Sequence, residues 1–323
     1  MMIANGGTQI ESFLSPEALR TIPQDQWKVK PMTAEILAEL KPPAMPKLPE
    51  GVEAPSPAYA EVLSRALDRE AAKGFPGGKT FQFPNIVHNS LMAPVFPMAV
   101  RGVLWYQGEH NSGDVNYDAK LKAMITDWRA RLGQEDLPFI ITQLCNWNLP
   151  KDGGFHVTRE EQLHVSQTVP NTALVVTIDL ANKEGDDFGS AQIHPKNKTD
   201  VGHRNALAAR ALVYGEKIVS SGPIYKAMKV ENGKIRLTFD SVGSGLEAKG
   251  EKLVGFHIAG EDQKFVPAAA TIEGRTVVVS APQVASPVAV RYGFAQFVHP
   301  LCNLYNKEGL PASPFRTDNW SWK

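Results

Sequence analysis

Gly102-Val103-Leu104-Trp105-Tyr106-Gln107-Gly108-Glu109 is the stretch that decides the fold. Its apolar first half, Gly102 to Tyr106, reads as a buried strand, and the polar Gln107-Gly108-Glu109-His110-Asn111 that follows reads as the turn at that strand's end. Outward from it the grammar repeats. Leu121, Met124, Ile125, Trp128 and Leu132 recur on one face of a helix that Gly133 closes, and Phe139-Ile140-Ile141-Thr142-Gln143-Leu144 is a second apolar strand. A helix around residues 158–168 leads to a third strand, Ala173-Leu174-Val175-Val176-Thr177-Ile178, and residues 195–214 hold another helix closed by Gly215. Continuous apolar strands alternating with helices predict an α/β fold, its parallel sheet covered on both faces.

After Gly222 the helical period disappears. Met228 and Val230, then Ile235, Leu237 and Phe239, alternate with polar residues around the hairpin signal Asn232-Gly233, and short β-like runs follow at 253–258, 276–280 and 288–292. The expected division is an α/β domain over 1–222 and a smaller β-rich segment over 223–323 whose tail packs back on it. Before the first strand the chain is turn-rich, with prolines at 42, 43, 46 and 49 that exclude a helix interior or a central strand, and with a helix over 57–73. Thirty-four basic and 34 acidic side chains cancel, which excludes a charge-driven grip on nucleic acid. An apolar share of 43% with 21% charged residues excludes disorder, and no apolar run reaches the roughly 18 residues that a membrane helix requires. Two cysteines, Cys145 and Cys302, are too few for a disulfide scaffold or a thiolate zinc site.

In a parallel sheet, ligands collect beyond the carboxyl ends of the strands. Three segments converge there: Gln107 to Asn111, Cys145-Asn146-Trp147, and the loop from Asp179 to His194. His194 sits at a loop-to-helix junction before Pro195, where a histidine can face the sheet edge as a general base; a surface role is the alternative. Asp186 or Asp187, eight and seven positions earlier, could fix its tautomer, or could simply be solvated turn formers. Gly6-Gly7-Thr8 can offer main-chain N–H groups to an oxyanion, and Gln107 its carboxamide. Glu109 can anchor the loop or bind substrate hydroxyls, Asn111 can add hydrogen bonds and Trp147 an apolar face; for Gln107 and Glu109 a polar loop position facing water is the alternative, and for Trp105 core packing is the favoured reading. No metal is expected, because no histidine pair has i, i+4 helical spacing, and His156, His164 and His203 read as ordinary surface or helix positions.

Read together, these pieces resemble the sialate O-acetylesterase family of carbohydrate esterases, within the SGNH hydrolase superfamily. The resemblance rests on Gly102 to Glu109 with Asn111, on Ile193-His194-Pro195-Lys196-Asn197-Lys198 with Gly202, and on Gly6-Gly7-Thr8 with Ile10-Glu11. Supporting stretches are Met92-Ala93-Pro94, Val290-Arg291-Tyr292, Asn303-Leu304-Tyr305-Asn306 and Pro314-Phe315-Arg316. It implies a three-layer α/β/α sandwich, hydrolysis of O-acetyl esters on sialic acid or other sugars, a small-molecule sugar substrate, no cofactor, and neither nucleic-acid binding nor membrane insertion. Gly6 or Gly7 then looks like the second SGNH block, Gln107 the side-chain donor of the third, and His194 the base of the last.

Two departures go with it. The family's serine lies in a Gly-Gln-Ser-Asn-Met segment ahead of the Gly-Gly-Thr stretch, and neither Gly-Gln-Ser nor Gly-Asp-Ser occurs here. Ser90 and Ser244 fall in segments that match other parts of the family. The chain thus reads as lacking an N-terminal segment, together with any signal peptide that would send it to the periplasm or outside the cell. A sugar-binding remnant, or a subunit completed by another polypeptide, is the alternative. The position three before His194, often Asp in such enzymes, is Ala191.

Overall fold

The computed structural model describes residues 7–25, 84–147, 153–180 and 193–321. The expected proline-dense stretch and the helix over 57–73 lie outside these residues, as do Gly6, Asp186 and Asp187. The chain divides into two compact units, 1–99 with 123–133, and 100–122 with 134–323.

In the first unit, helix α1 (Pro16–Arg20) starts where Pro16 follows Ser15, whose hydroxyl accepts the Ala18 N–H at 3.0 Å. Its core holds Ile10, Leu14 and Leu19, all fully buried. Trp128, on helix α2 (Tyr117–Arg131), packs edge-on against Phe96 and donates its indole N–H to Phe13 O at 3.3 Å. Burying a side chain of this size contributes on the order of 2–3 kcal/mol.

The second unit carries the parallel sheet, β1 (Val103–Trp105), β2 (Phe139–Thr142) and β3 (Thr172–Val175), in that spatial order. Leu104 pairs with Ile140 and Ile140 with Ala173, so successive strands present the same face in step. Helix α3 (Phe155–Thr168) packs against β3, and helix α4 (Lys198–Leu212) covers β2 and β3 through a cluster of Ile140, Val175 and Ala208. The α/β reading with a parallel sheet stands, with one correction: Leu104 is 62% exposed. Among the described residues β1 is an edge strand with β2 as its neighbour, and α4 lies over β2 and β3. Trp105, on the opposite face, is buried as expected.

Two helices begin elsewhere than their periodicity implies. α3 starts at Phe155, directly after Gly154 in a left-handed conformation (φ 80°). α4 starts at Lys198, because the Asn197 side chain accepts the Asp200 N–H at 3.0 Å and so caps the helix there; Pro195 lies ahead of the cap.

The β-rich part begins at β4 (Ile224–Glu231), whose hairpin to β5 (Lys234–Asp240) turns on Asn232 (φ 49°) and Gly233 (φ 72°), the positive angles that a two-residue turn demands. β9 (Ala269–Glu273) and β10 (Thr276–Ser280) complete a four-stranded antiparallel sheet in the order β4-β5-β10-β9. Ile235, Leu237, Val277 and Val279 fill its buried side. β7 (Phe256–Ala259), β8 (Val266–Pro267), β11 (Ala289–Tyr292) and β13 (Phe315–Arg316) form a second sheet, and β6 (Leu246–Ala248) pairs with β12 (Leu304–Asn306).

These strands are stitched to the α/β part by buried polar contacts. Asn146 exchanges two hydrogen bonds of 2.8 Å with the Val298 backbone, and Gln143 donates to Ser313 Oγ at 3.1 Å. Arg204 on α4 clasps Asp179 with two bonds of 2.7 Å, and Tyr305 donates to the same carboxylate at 2.8 Å.

Candidate active site

The turn after β1 is held by glycine. Gly108 has φ 148°, where any side chain is strained, and a Cβ there would stand 3.0 Å from Thr158 Cγ2 and 3.1 Å from Gln162 Nε2, so a larger residue must also push these two α3 side chains aside. Gln162 fixes the turn from the α3 side. Its Nε2 donates to Gln107 O at 2.9 Å while its Oε1 accepts the Leu144 N–H at 2.9 Å, tying the segments after β1 and β2 to one side chain.

Gln107 is buried and its carboxamide is oriented at both ends. The Tyr117 hydroxyl, which accepts from Trp105 Nε1 at 3.2 Å, donates to the Gln107 oxygens, 2.9 Å from Oε1 and 3.0 Å from the main-chain O. One Gln107 amide N–H goes to Asn111 Oδ1 at 2.8 Å. Asn111 is itself buried in the short helical turn Glu109–Asn111, with its carbonyl 3.4 Å from Thr158 Oγ1.

Glu109 is half-buried in that turn. Burial pushes its carboxyl above the usual carboxylate range, while His194 and Lys198 pull it back by charge. The same carboxylate adds to burial in raising the Cys145 thiol to about 12 and in raising the Tyr106 hydroxyl. Glu109 therefore interacts through its charge with His194 and Lys198 on one side and with Cys145 and Tyr106 on the other. Cys145 also reaches the histidine turn directly, its thiol donating to Ile193 O at 3.2 Å, and Arg159 on α3 donates to Cys145 O at 2.9 Å. Both cysteines are free and buried, and burial raises Cys302 to about 12 as well, which leaves two inert thiols.

Of the residues singled out from sequence, Gln107, Glu109 and Asn111 share one turn, and Glu109 brings His194 into its field. His194 is exposed. Trp147 is half-buried, its ring 4.7 Å from that of Phe155, and its indole N–H is buried without a hydrogen-bond partner. Gly7, in the first unit, is exposed with φ 66°, and Thr8 beside it is buried. Ser90 donates to Ile86 O at 2.6 Å, and Ser244 bonds to the Glu308 carboxylate. His156, expected at an ordinary surface or helix position, is helical but buried, with its ring edge-on to Phe294 at 4.8 Å. Tyr117, Gln162 and Arg159 escaped the sequence reading. Tyr117 carried one signal: it precedes Leu121 by four and so shares the buried face of α2.

The three-stranded parallel sheet with its flanking helices is an α/β core of the SGNH-hydrolase kind. The family described as "Carbohydrate esterase, sialic acid-specific acetylesterase" matches residues 72–211. The chain is 32% identical over 259 residues to sialate O-acetylesterase of Mus musculus, across 72% of this chain and 47% of that protein. It is 30% identical over 260 residues to sialate O-acetylesterase of Homo sapiens, across 72% and 48%. A solved carbohydrate acetylesterase from Xanthomonas citri superposes with a TM-score of 0.70 at 43% identity, over 76% of this chain and 56% of that one. The chain belongs to the sialate O-acetylesterase family of carbohydrate esterases. It spans about half the length of the curated relatives it matches.

Proposed function

We propose that this chain supplies the general base and oxyanion donors of a carbohydrate O-acetylesterase acting on O-acetylated sialic acid or related sugars. The observation that carries the reading is a chain of hydrogen bonds: Gln162 ties the Gln107 turn to Leu144, and the next residue, Cys145, donates its thiol to Ile193 O at 3.2 Å, beside His194. His194 takes the proton of an attacking serine. Gln107 stabilises the oxyanion with its carboxamide; collapse of that intermediate breaks the ester bond, the sugar oxygen takes the proton back from His194, and water activated by His194 then releases acetate from the acetyl-serine. Asp186 or Asp187 orients the imidazole, and Glu109 adds negative charge beside it. Asn111 holds the Gln107 carboxamide in its donating orientation. Trp147, half-buried, offers the sugar the exposed part of its ring. Neither Gly-Gln-Ser nor Gly-Asp-Ser occurs in the 323 residues, so this reading requires the acylating serine to be supplied by another segment.

The test is acetate release from an O-acetylated sialic acid and from an aryl acetate, by the chain joined to a segment bearing Gly-Gln-Ser-Asn-Met. His194→Ala lowers turnover by about a thousandfold or more, and Gln107→Ala by roughly a hundredfold. Turnover that is indifferent to His194→Ala overturns the assignment.

The missing nucleophile motif also favours a second reading, a sugar-binding protein that performs no chemistry. Calorimetric titration of the chain with O-acetylated sugars then gives uptake that Trp147→Ala weakens; absence of heat with every sugar tried removes that reading.

A further inference from the structure

Glu161-Gln162-Leu163-His164 sets a carboxylate and an imidazole three residues apart on α3, and so on one face of the helix. Asp118, in the first turn of α2, meets them: the ligand atoms of Asp118, Glu161 and His164 all lie within 4.8 Å of one another. Asp118 Oδ2 stands 3.2 Å from His164 Nδ1. An ion bound tetrahedrally at about 2.0–2.1 Å holds its ligand atoms about 3.3 Å apart, so one edge of such a polyhedron already has the required length. The other two edges lie within 4.8 Å, and a bound ion would require the Glu161 side chain to turn toward it to shorten them. Glu161 and His164 also line a cavity of about 330 Å³ with Tyr225, Phe315 and Arg316, which leaves an ion at this position an open side.

We propose that Asp118, Glu161 and His164 bind a divalent cation of the zinc class, with its remaining coordination position facing that cavity. The donor set selects the ion. Two carboxylate oxygens and one imidazole nitrogen match zinc, whereas calcium requires six to eight oxygens and magnesium an octahedral shell that it keeps largely as water. The two carboxylates balance the charge of the ion, which displaces the Lys122 ammonium now 3.2 Å from Asp118 Oδ2. The cation would clamp the start of α2 to the middle of α3, and the cavity could admit water or a small anionic group to complete its coordination. The proposal is independent of the esterase reading and uses none of its residues. The spacing of Glu161 and His164 is visible in one dimension, but Asp118 joins them from another helix, and no histidine pair marks the site.

The experiment titrates the full chain, stripped with EDTA and dialysed, with zinc chloride by calorimetry, and counts bound metal after dialysis. The expected result is one ion per chain, with affinity lowered at least tenfold by His164→Ala and by Glu161→Gln. Lys122→Met keeps all three donors and removes the competing ammonium, so it tightens binding severalfold. Zinc raises the melting temperature of the wild type and leaves that of His164→Ala unmoved, while calcium and magnesium chlorides give no uptake at the same concentration. Failure to bind at about 100 µM zinc, or equal binding by wild type and both donor variants, overturns the proposal. Should a donor variant fail to fold, Lys122→Met still decides, and an affinity it does not improve overturns the site.

Discussion

Glu161 and Gly108 show how much single positions in this molecule depend on neighbours remote in sequence. Burial and the adjacent Asp118 raise the Glu161 carboxyl from 4.5 to about 8, so the folded chain holds a proton that the unfolded chain releases. That contribution to stability is complete below the unfolded value and fades as pH climbs through the folded one. In EDTA, wild type should therefore lose stability relative to Glu161→Gln between about pH 4.5 and pH 8 and run parallel to it above, as urea titrations at a series of pH values would record. At Gly108, alanine meets both a positive φ and the Thr158 and Gln162 side chains. Its expected cost is about 2–4 kcal/mol, read from the urea midpoint. The sequence offered Gly108 only as part of a polar turn; the contacts that crowd a side chain come from α3, whose approach no local pattern encodes.

Among elements, helices and strands with a strong period were legible and short ones were not. The buried face of α2, Leu121, Met124, Ile125 and Trp128, follows from a 3.6-residue spacing, and the β4–β5 turn follows from Asn232-Gly233. Strands β6, β8, β12 and β13, of two or three residues each, carry too little alternation to be read. Leu104 misled for a different reason: an apolar run reports β-propensity, but which side a sheet leaves uncovered is set by where the helices lie. A buried tie between elements is also invisible in one dimension. Arg204 on α4 joins Asp179, Val176 O and, through the carboxylate, Tyr305 on β12. Replacing it as Arg204→Met leaves Asp179 charged and buried, at an expected cost of about 3–5 kcal/mol, and adding Asp179→Asn should recover part of that loss in the same denaturation assay.

At the scale of the molecule, the α/β half could be read in outline because its apolar strands alternate with helices, and the polar turns at the strand ends follow from that order. What could not be read is the support behind them. Gln143, Asn146, Arg159 and Asp179 all reach partners in the last thirty residues, so the site leans on chain that is distant in sequence. A polypeptide ending at Gly222 should accordingly be soluble only as an expanded state that binds a hydrophobic dye and lacks near-ultraviolet dichroism; a fragment with a cooperative melt would show that the parallel sheet stands without the C-terminal strands. The single amide of Gln162 has a further effect. With its nitrogen on one turn and its oxygen on the next, it couples the two loops into one rocking body, so a ligand pressing on either should be felt at both, and evolution or an engineer reshaping one rim must retune the other in the same stroke.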